Sequence, residues 1–418
     1  MVAVRSAHLN KAGEFDPKKW IASLGISSQQ SCERLAETWD YCREKTQGHP
    51  QADLLLWRGV EMVEILSTLS MDIDTLRAAL LFPLADGEVV SEEVMQESVG
   101  KSVVTLIHGV RDMAAIRQLK ATHTDSVSSE QVDNIRRMLL AMVDDFRCVV
   151  IKLAERIAHL REVKDAPEDE RVLAAKECTN IYAPLANRLG IGQLKWELED
   201  YCFRYLHPAE YKRIAKLLHE RRIDREHYIE EFVGHLRSEM KAEGVKAEVY
   251  GRPKHIYSIW RKMQSVGCDL HHVDGKHYIR IIYDAEGHLE EKKTSLHIYA
   301  VLTDYFKERP GSVSNYINAP KENGYQSFHL KLLSEQGTWE EIHISSERMV
   351  RNSRLGCAAE RTEENITSWL EKFKSVLQDV AFHSKEMDYM DGVTASFYND
   401  DIMVFTPNGK GIILPKGA

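Results

Sequence analysis

Tyr250-Gly-Arg-Pro-Lys-His-Ile-Tyr-Ser-Ile-Trp-Arg-Lys-Met263 joins a glycine turn, a helix start and a run of cations within fourteen residues. Gly251 frees the backbone, and Pro253 suits the first turn of a helix, where a missing N–H costs nothing. Ile256, Ile259, Trp260 and Met263 then recur at helical spacing. The alternation from Val245 to Tyr250 predicts a strand running into this helix, with Arg252 and Lys254 in the loop between them. Unpaired amides at such a helix start, beside two cations, attract phosphate. Taken alone, the stretch also fits an ordinary amphipathic helix with solvated cations.

Downstream, Asn318-Ala-Pro-Lys-Glu-Asn-Gly-Tyr325 is a turn-rich loop that leads into a strand from Gln326 to Leu333. Trp339-Glu-Glu-Ile-His-Ile-Ser345 alternates, with Glu341, His343 and Ser345 on one face and Ile342 and Ile344 on the other. One polar face and one core face is the pattern of a site wall. Strands at 245–250, 277–283, 326–333 and 339–345 with helices between them predict an α+β domain with a mixed sheet. Upstream of Gly244 the pattern is helical. Residues 1–200 read as helix after helix, and the stripe through Val132, Met138, Phe146, Val150, Ile157 and Leu160 keeps helical steps. Residues 201–243 carry a long, charged helical pattern read as a linker.

At 418 residues, 43% of them apolar, the chain has length and core material for two or three domains. Its formal charge of −9 excludes a global basic field for nucleic acid or membrane, so any anion site is local. Seven scattered cysteines with no Cys-x-x-Cys pair suit a reducing cytoplasm and argue against structural zinc. No apolar run reaches the roughly 18 residues of a membrane-spanning helix, so no membrane partner is expected. His271-His272, beside Cys268 and Asp269, predicts no shared metal, because adjacent strand residues point to opposite faces.

In motif order the chain resembles the RelA/SpoT alarmone enzymes. The resemblance rests on the 250–263 stretch, on Asn323-Gly-Tyr-Gln-Ser-Phe-His329 and on the Glu341 strand. It is closest to enteric members up to Met263, helped by Ala183-Pro-Leu-Ala-Asn-Arg-Leu-Gly190, and more divergent from Gln264, the pattern of a chimera or an unusual homologue. It implies a multidomain chain: an all-α HD-type (pseudo)hydrolase domain over 1–200, the helical linker over 201–243, and an α+β nucleotidyltransferase-like synthetase domain over 244–385. The start of a small TGS module would follow over 400–418. The implied activity is pyrophosphate transfer from ATP to the 3′-hydroxyl of GDP or GTP with Mg²⁺. The implied partners are those nucleotides, the ribosome and transfer RNA through C-terminal domains beyond this chain, and another copy in a homo-oligomer.

By the same resemblance Arg252 and Lys254, with Lys262 and Arg280, bind phosphate, and Tyr325 stacks on guanine. Gln326, Ser327, His329 and His343 line the nucleotide loop and strand, and Glu341 with Asp274 holds the metal and poises the hydroxyl. Several positions depart from the family pattern. The catalytic aspartate position falls on Gly275, with Asp274 one residue early, and in a regular strand that shift reverses the face. His343 and Ser345 replace glutamine and arginine, Val350 and Glu360 two histidines. In the helical domain Phe82-Pro83 stands where a metal-binding His-Asp pair would be, Arg58 replaces a histidine and Glu155 an aspartate, as in the RelA branch. These departures predict a lost hydrolase site and impaired synthesis. The alternative is a catalytically dead guanine-nucleotide-binding regulator of the same family, and an active hydrolase is disfavoured.

Overall fold

The computed structural model describes residues 15–113, 145–220, 222–270, 275–321 and 323–356, together with the strands Ile402–Phe405 and Gly411–Leu414. The predicted stripe residues Val132 and Met138, and the candidates Asp274 and Glu360, lie outside the described residues. Contacts divide the chain into two compact units at Asp165/Ala166, unit 2 extending to Arg361.

Unit 1 is helical. Its helices are α1 (Pro17–Ser23), α2 (Gln29–Lys45), α3 (Ala52–Ser67), α4 (Ile73–Asp86), α5 (Glu92–Val99), α6 (Lys101–Asp112) and α7 (Phe146–Glu162). Asp16, Ser28, Asp72, Ser91 and Asp145 precede five of them and accept hydrogen bonds from otherwise unpaired first-turn amides. Helix α4 is buried on every side from Thr75 to Ala85, the mark of a central helix. At its heart Phe82 meets a buried charge cluster on α7. Glu155 pairs with Lys152 at 3.0 Å and with Arg156, and the Lys152 ammonium stands 5.8 Å from the Phe82 ring centre. Arg58 pairs with Glu162 at 2.7 Å.

Unit 2 begins with α8 (Glu168–Glu177), a π-helical turn at Cys178–Tyr182, α9 (Ala183–Arg188), α10 (Gly192–Leu206), α11 (Pro208–Glu220) and α12 (Arg222–Ala242). Then follow β1 (Glu248–Pro253), α13 (Ile256–Val266), β2 (His277–Tyr283), α14 (His288–Tyr305), β3 (Ser314–Asn315), β4 (Phe328–Leu333), β5 (Trp339–Ser346) and α15 (Glu347–Leu355). The sheet order is β1-β2-β5-β4-β3, with β2 and β5 parallel and the other pairs antiparallel, so it is the predicted mixed sheet. The strands β6 (Ile402–Phe405) and β7 (Gly411–Leu414) form a separate antiparallel pair.

Period-two alternation gives the sheet two different faces. Val249, Ile279, Ile281, Phe328, Leu330, Ile342 and Ile344 point one way, onto Phe232, Val233 and Leu236 of α12 and Ile298 and Leu302 of α14. The other face carries Tyr278, Arg280, His329, Glu341 and His343. Ile259 and Met263 of α13 pack on Phe203 and Ile214, so the helical spacing read there marks a core face.

One expectation is corrected. Pro253 does not open the helix; it ends β1, and Arg252 lies in the strand rather than in a loop. Strand β1 is at the sheet edge, where proline's lack of an N–H leaves no neighbour unpaired. Gly251 is likewise inside β1, where a side chain would collide with Ile229.

Candidate functional site

The polar face of the sheet is centred on Glu341. The register sets His329 of β4 directly opposite His343 of β5, and Arg280 of β2 beside His343 on the other side. Cross-strand partners on one face are close neighbours. The two imidazoles accordingly lie stacked at 3.8 Å and 3° from parallel, and Tyr278 stacks on the outer side of His343 at 4.5 Å.

Glu341 is held from two sides. Lys254 Nζ donates to Oε2 at 2.7 Å, and His343 Nε2 lies 2.7 Å from Oε1. Burial alone would push this carboxyl up, but the hydrogen bond with His343 and the charge of Lys254 hold it well below the usual carboxylate range. Burial lowers both histidines, His329 to about 2, so each is a neutral imidazole at physiological pH. Tyr325 donates its hydroxyl to, or accepts from, His329 Nε2 at 2.8 Å, and burial pushes its own titration up to about 12.

Beside this cluster stands a wall of rings and cations. Tyr316 lies edge-on to His329, and Lys321 Nζ sits 4.7 Å from the Tyr316 ring centre and 5.6 Å from that of Tyr325. Arg280 is stacked 5.3 Å from Tyr278, and its Nε is buried without a hydrogen-bond partner. A buried guanidinium N–H with no acceptor carries a desolvation cost that a bound anion would remove.

The structure therefore brings together Lys254, Arg280, Tyr325, His329, Glu341 and His343. Lys262 reaches the same place. A Cβ added to Gly275 would stand 3.0 Å from Lys262 Nζ, 3.2 Å from Glu341 Oε2 and 3.6 Å from Lys254 Nζ. Position 275 thus faces the site, with a left-handed φ of 70°. Arg252 is exposed on β1 across from Tyr278. Gln326 and Ser327 turn into the wall instead. Gln326 bonds Ile317 O and Arg348, while the buried Ser327 hydroxyl donates to Ile344 O and accepts from Ser345. Sequence reading missed Tyr278, Tyr316 and Lys321; of these only Tyr278 had a signal, two residues before Arg280 and so on its face.

The Tyr325 loop is anchored on α9. Asn323 Nδ2 donates to Asn187 O at 3.3 Å. Gly190, at φ 68°, lies so close that a Cβ there would collide with the Asn323 carbonyl oxygen.

Metal donors converge at one place among the described residues: ligand atoms of His329, Glu341 and His343 lie within 4.8 Å of one another. Mg²⁺ demands several oxygens in near-octahedral array. This set offers one carboxylate and two imidazoles, and does not fit that ion.

Known proteins point the same way as the topology. The model of the HD domain matches residues 37–192, and that of the region found in RelA/SpoT proteins matches residues 251–363. Such domains typically work with a divalent metal. The GTP pyrophosphokinase of Escherichia coli (strain K12) is 66% identical over 100% of this chain and 57% of its own length. That of Haemophilus influenzae is 44% identical over the same shares. A guanosine-3′,5′-bis(diphosphate) 3′-pyrophosphohydrolase of Aquifex aeolicus is 28% identical over 98% of this chain and 58% of its own. The chain thus spans a little over half the length of these relatives. The small alarmone synthetase 1 of Bacillus subtilis, solved with its product pppGpp, covers 41% of this chain and 96% of its own. At 19% identity and a TM-score of 0.28, that likeness carries no argument. A helical HD domain, a mixed-sheet synthetase region in that order and identity along the whole length lead to one conclusion: the chain belongs to the RelA/SpoT family.

Proposed function

We propose that unit 2 transfers the pyrophosphoryl group of ATP to the 3′-hydroxyl of GDP or GTP, at a rate limited by the missing carboxylate at position 275. The observation that carries this reading is the Lys254–Glu341 pair, set on the polar face beside Arg280 and the tyrosines. Lys254, Lys262, Arg252 and Arg280 hold the polyphosphate. Tyr325 and Tyr316 offer ring faces to the guanine. Glu341, kept ionised by its neighbours, accepts the proton of the 3′-hydroxyl as its oxygen bonds to the β-phosphorus of ATP. The bond from that phosphorus to the α-phosphate oxygen breaks, and AMP leaves. Positioning and charge supply most of the rate.

A binding-only reading is favoured by one observation, the glycine at 275 beside Glu341 and two ammonium groups. The discriminating experiment combines ATP, GDP or GTP and divalent cation in one assay that separates alarmone from substrate, with nucleotide binding by calorimetry on the same preparation. Product above background supports the transferase; binding without product supports the regulator. Gly275→Asp is expected to raise turnover by about tenfold or more, by supplying a second carboxylate. Aspartate tolerates the left-handed backbone better than most residues. Turnover left at background, with nucleotide still bound, would sink this account of the defect.

In the same reading unit 1 is a pseudo-hydrolase, the helices over 201–243 pass regulation between modules, and residues 400–418 open a TGS module. The protein acts in the cytoplasm, with ATP and GDP or GTP as its nucleotide partners and a second copy as its partner in a homo-oligomer. The Gly190 contact ties the guanine loop to the α9–α10 junction. Gly190→Ala is expected to lower kcat/KM for the guanine nucleotide by about 10- to 100-fold, chiefly through KM, because the Tyr325 loop is displaced. Steady-state kinetics with ATP saturating checks this; an unchanged KM refutes it.

A further inference from the structure

We propose that His329, Glu341 and His343 form a binding site for a divalent transition metal of the imidazole-accepting class, such as Zn²⁺ or Co²⁺, in place of an oxygen-only Mg²⁺ site. Three observations support it. The donor atoms lie within 4.8 Å of one another on two hydrogen-bonded strands, so the backbone brings them together without any loop closing. His343 is buried, and its Nδ1 has no hydrogen-bond partner. A metal taken on Nδ1 removes the cost of leaving that buried atom unpaired. Two imidazoles and one carboxylate suit zinc, cobalt or iron, whereas magnesium selects oxygen.

A metal displaces the hydrogen bonds now made by His343 Nε2 with Glu341 Oε1 and by His329 Nε2 with the Tyr325 hydroxyl, or takes the other ring nitrogens, and it requires two further adjustments. A metal lies in the plane of the imidazole that holds it, and parallel rings 3.8 Å apart cannot both meet that condition, so the stack opens by rotation of a ring. Lys254, which now donates to Glu341 Oε2, moves off that oxygen or leaves the metal the other one. Both changes are confined to side chains. The second has a consequence that rests on the synthetase reading: an occupied site withdraws Glu341 and Lys254 from the nucleotide and inhibits synthesis.

The test titrates the whole chain with Zn²⁺, Co²⁺ and Mg²⁺ in the absence of nucleotide. Calorimetry reads stoichiometry, and the visible ligand-field absorption of Co²⁺ reports nitrogen ligands. One equivalent of Zn²⁺ or Co²⁺ is expected, bound more tightly than Mg²⁺. His343→Gln and His329→Gln should each weaken binding by about 10- to 100-fold with the far-UV circular dichroism unchanged. His271→Gln/His272→Gln should leave it intact. Loss of the ion in that double variant, or its retention in both single variants, would place it elsewhere and overturn the proposal. So would the absence of Zn²⁺ and Co²⁺ binding. Zn²⁺ binding without alarmone formation under any condition removes the synthetase reading and leaves the metal site standing. Alarmone formation with no Zn²⁺ or Co²⁺ binding does the reverse.

Discussion

Glu341→Gln lowers alarmone synthesis by about 10²- to 10⁴-fold, the range associated with a positioned proton acceptor, while the dissociation constants of ATP and GDP change little. Glutamine has the size of glutamate, so the packing around β5 is preserved; its one oxygen still accepts from Lys254, and its NH2 meets His343 Nε2 once that imidazole shifts its proton to Nδ1. What is lost is the charge. In the native site that charge persists despite burial because His343 and Lys254 stabilise it. An amide has no basic oxygen able to take the hydroxyl proton, so the loss appears in kcat rather than in KM. Single-turnover measurement with saturating nucleotides reads it directly. A variant that keeps its turnover would show that another group takes the proton and would remove Glu341 from the chemistry.

Glu155→Gln destabilises unit 1 by about 3–5 kcal/mol, the usual cost of breaking a buried ion pair from one side. Lys152, Glu155 and Arg156 are each no more than 2% exposed, and the carboxylate faces both cations. Removing its charge leaves two buried cations without the anion they share. The expected signature in urea is a lower midpoint for the transition that near-ultraviolet signals assign to unit 1, with an unchanged slope. Adding Lys152→Met to Glu155→Gln removes one of the two cations and recovers part of the loss. An unchanged midpoint in the single variant would mean that the cluster contributes nothing net. The same cluster bears on the hydrolase question, because the Lys152 ammonium already occupies the neighbourhood of Phe82 and Glu155, where the family pattern leads one to expect a bound metal.

Much of this protein was legible without coordinates. Local periodicity identified the helical first part, the strands β2, β4 and β5 to within two residues, and the Glu341–His343 face of β5, because alternation is a property of the chain itself. The motif order carried the family. Local chemistry misled at Pro253, whose helix-opening tendency yielded to its place on an edge strand. The resemblance gave Gln326 and Ser327 as lining the nucleotide loop, whereas their side chains bond Arg348 and Ser345.

By itself, then, the sequence determined which segments are helix and strand, and which strand face is polar; among the described residues no helix is long and apolar enough to cross a membrane. Only the tertiary structure decided what stands opposite what. The β4–β5 register stacks His329 on His343, a partnership fourteen residues apart that no pattern within either strand specifies. The return of the chain after α13 brings Gly275 against Lys262, Lys254 and Glu341. Such contacts depend on strand order and register, which are set by burying the opposite face of the sheet on α12 and α14, and not by the polar residues that the register brings together.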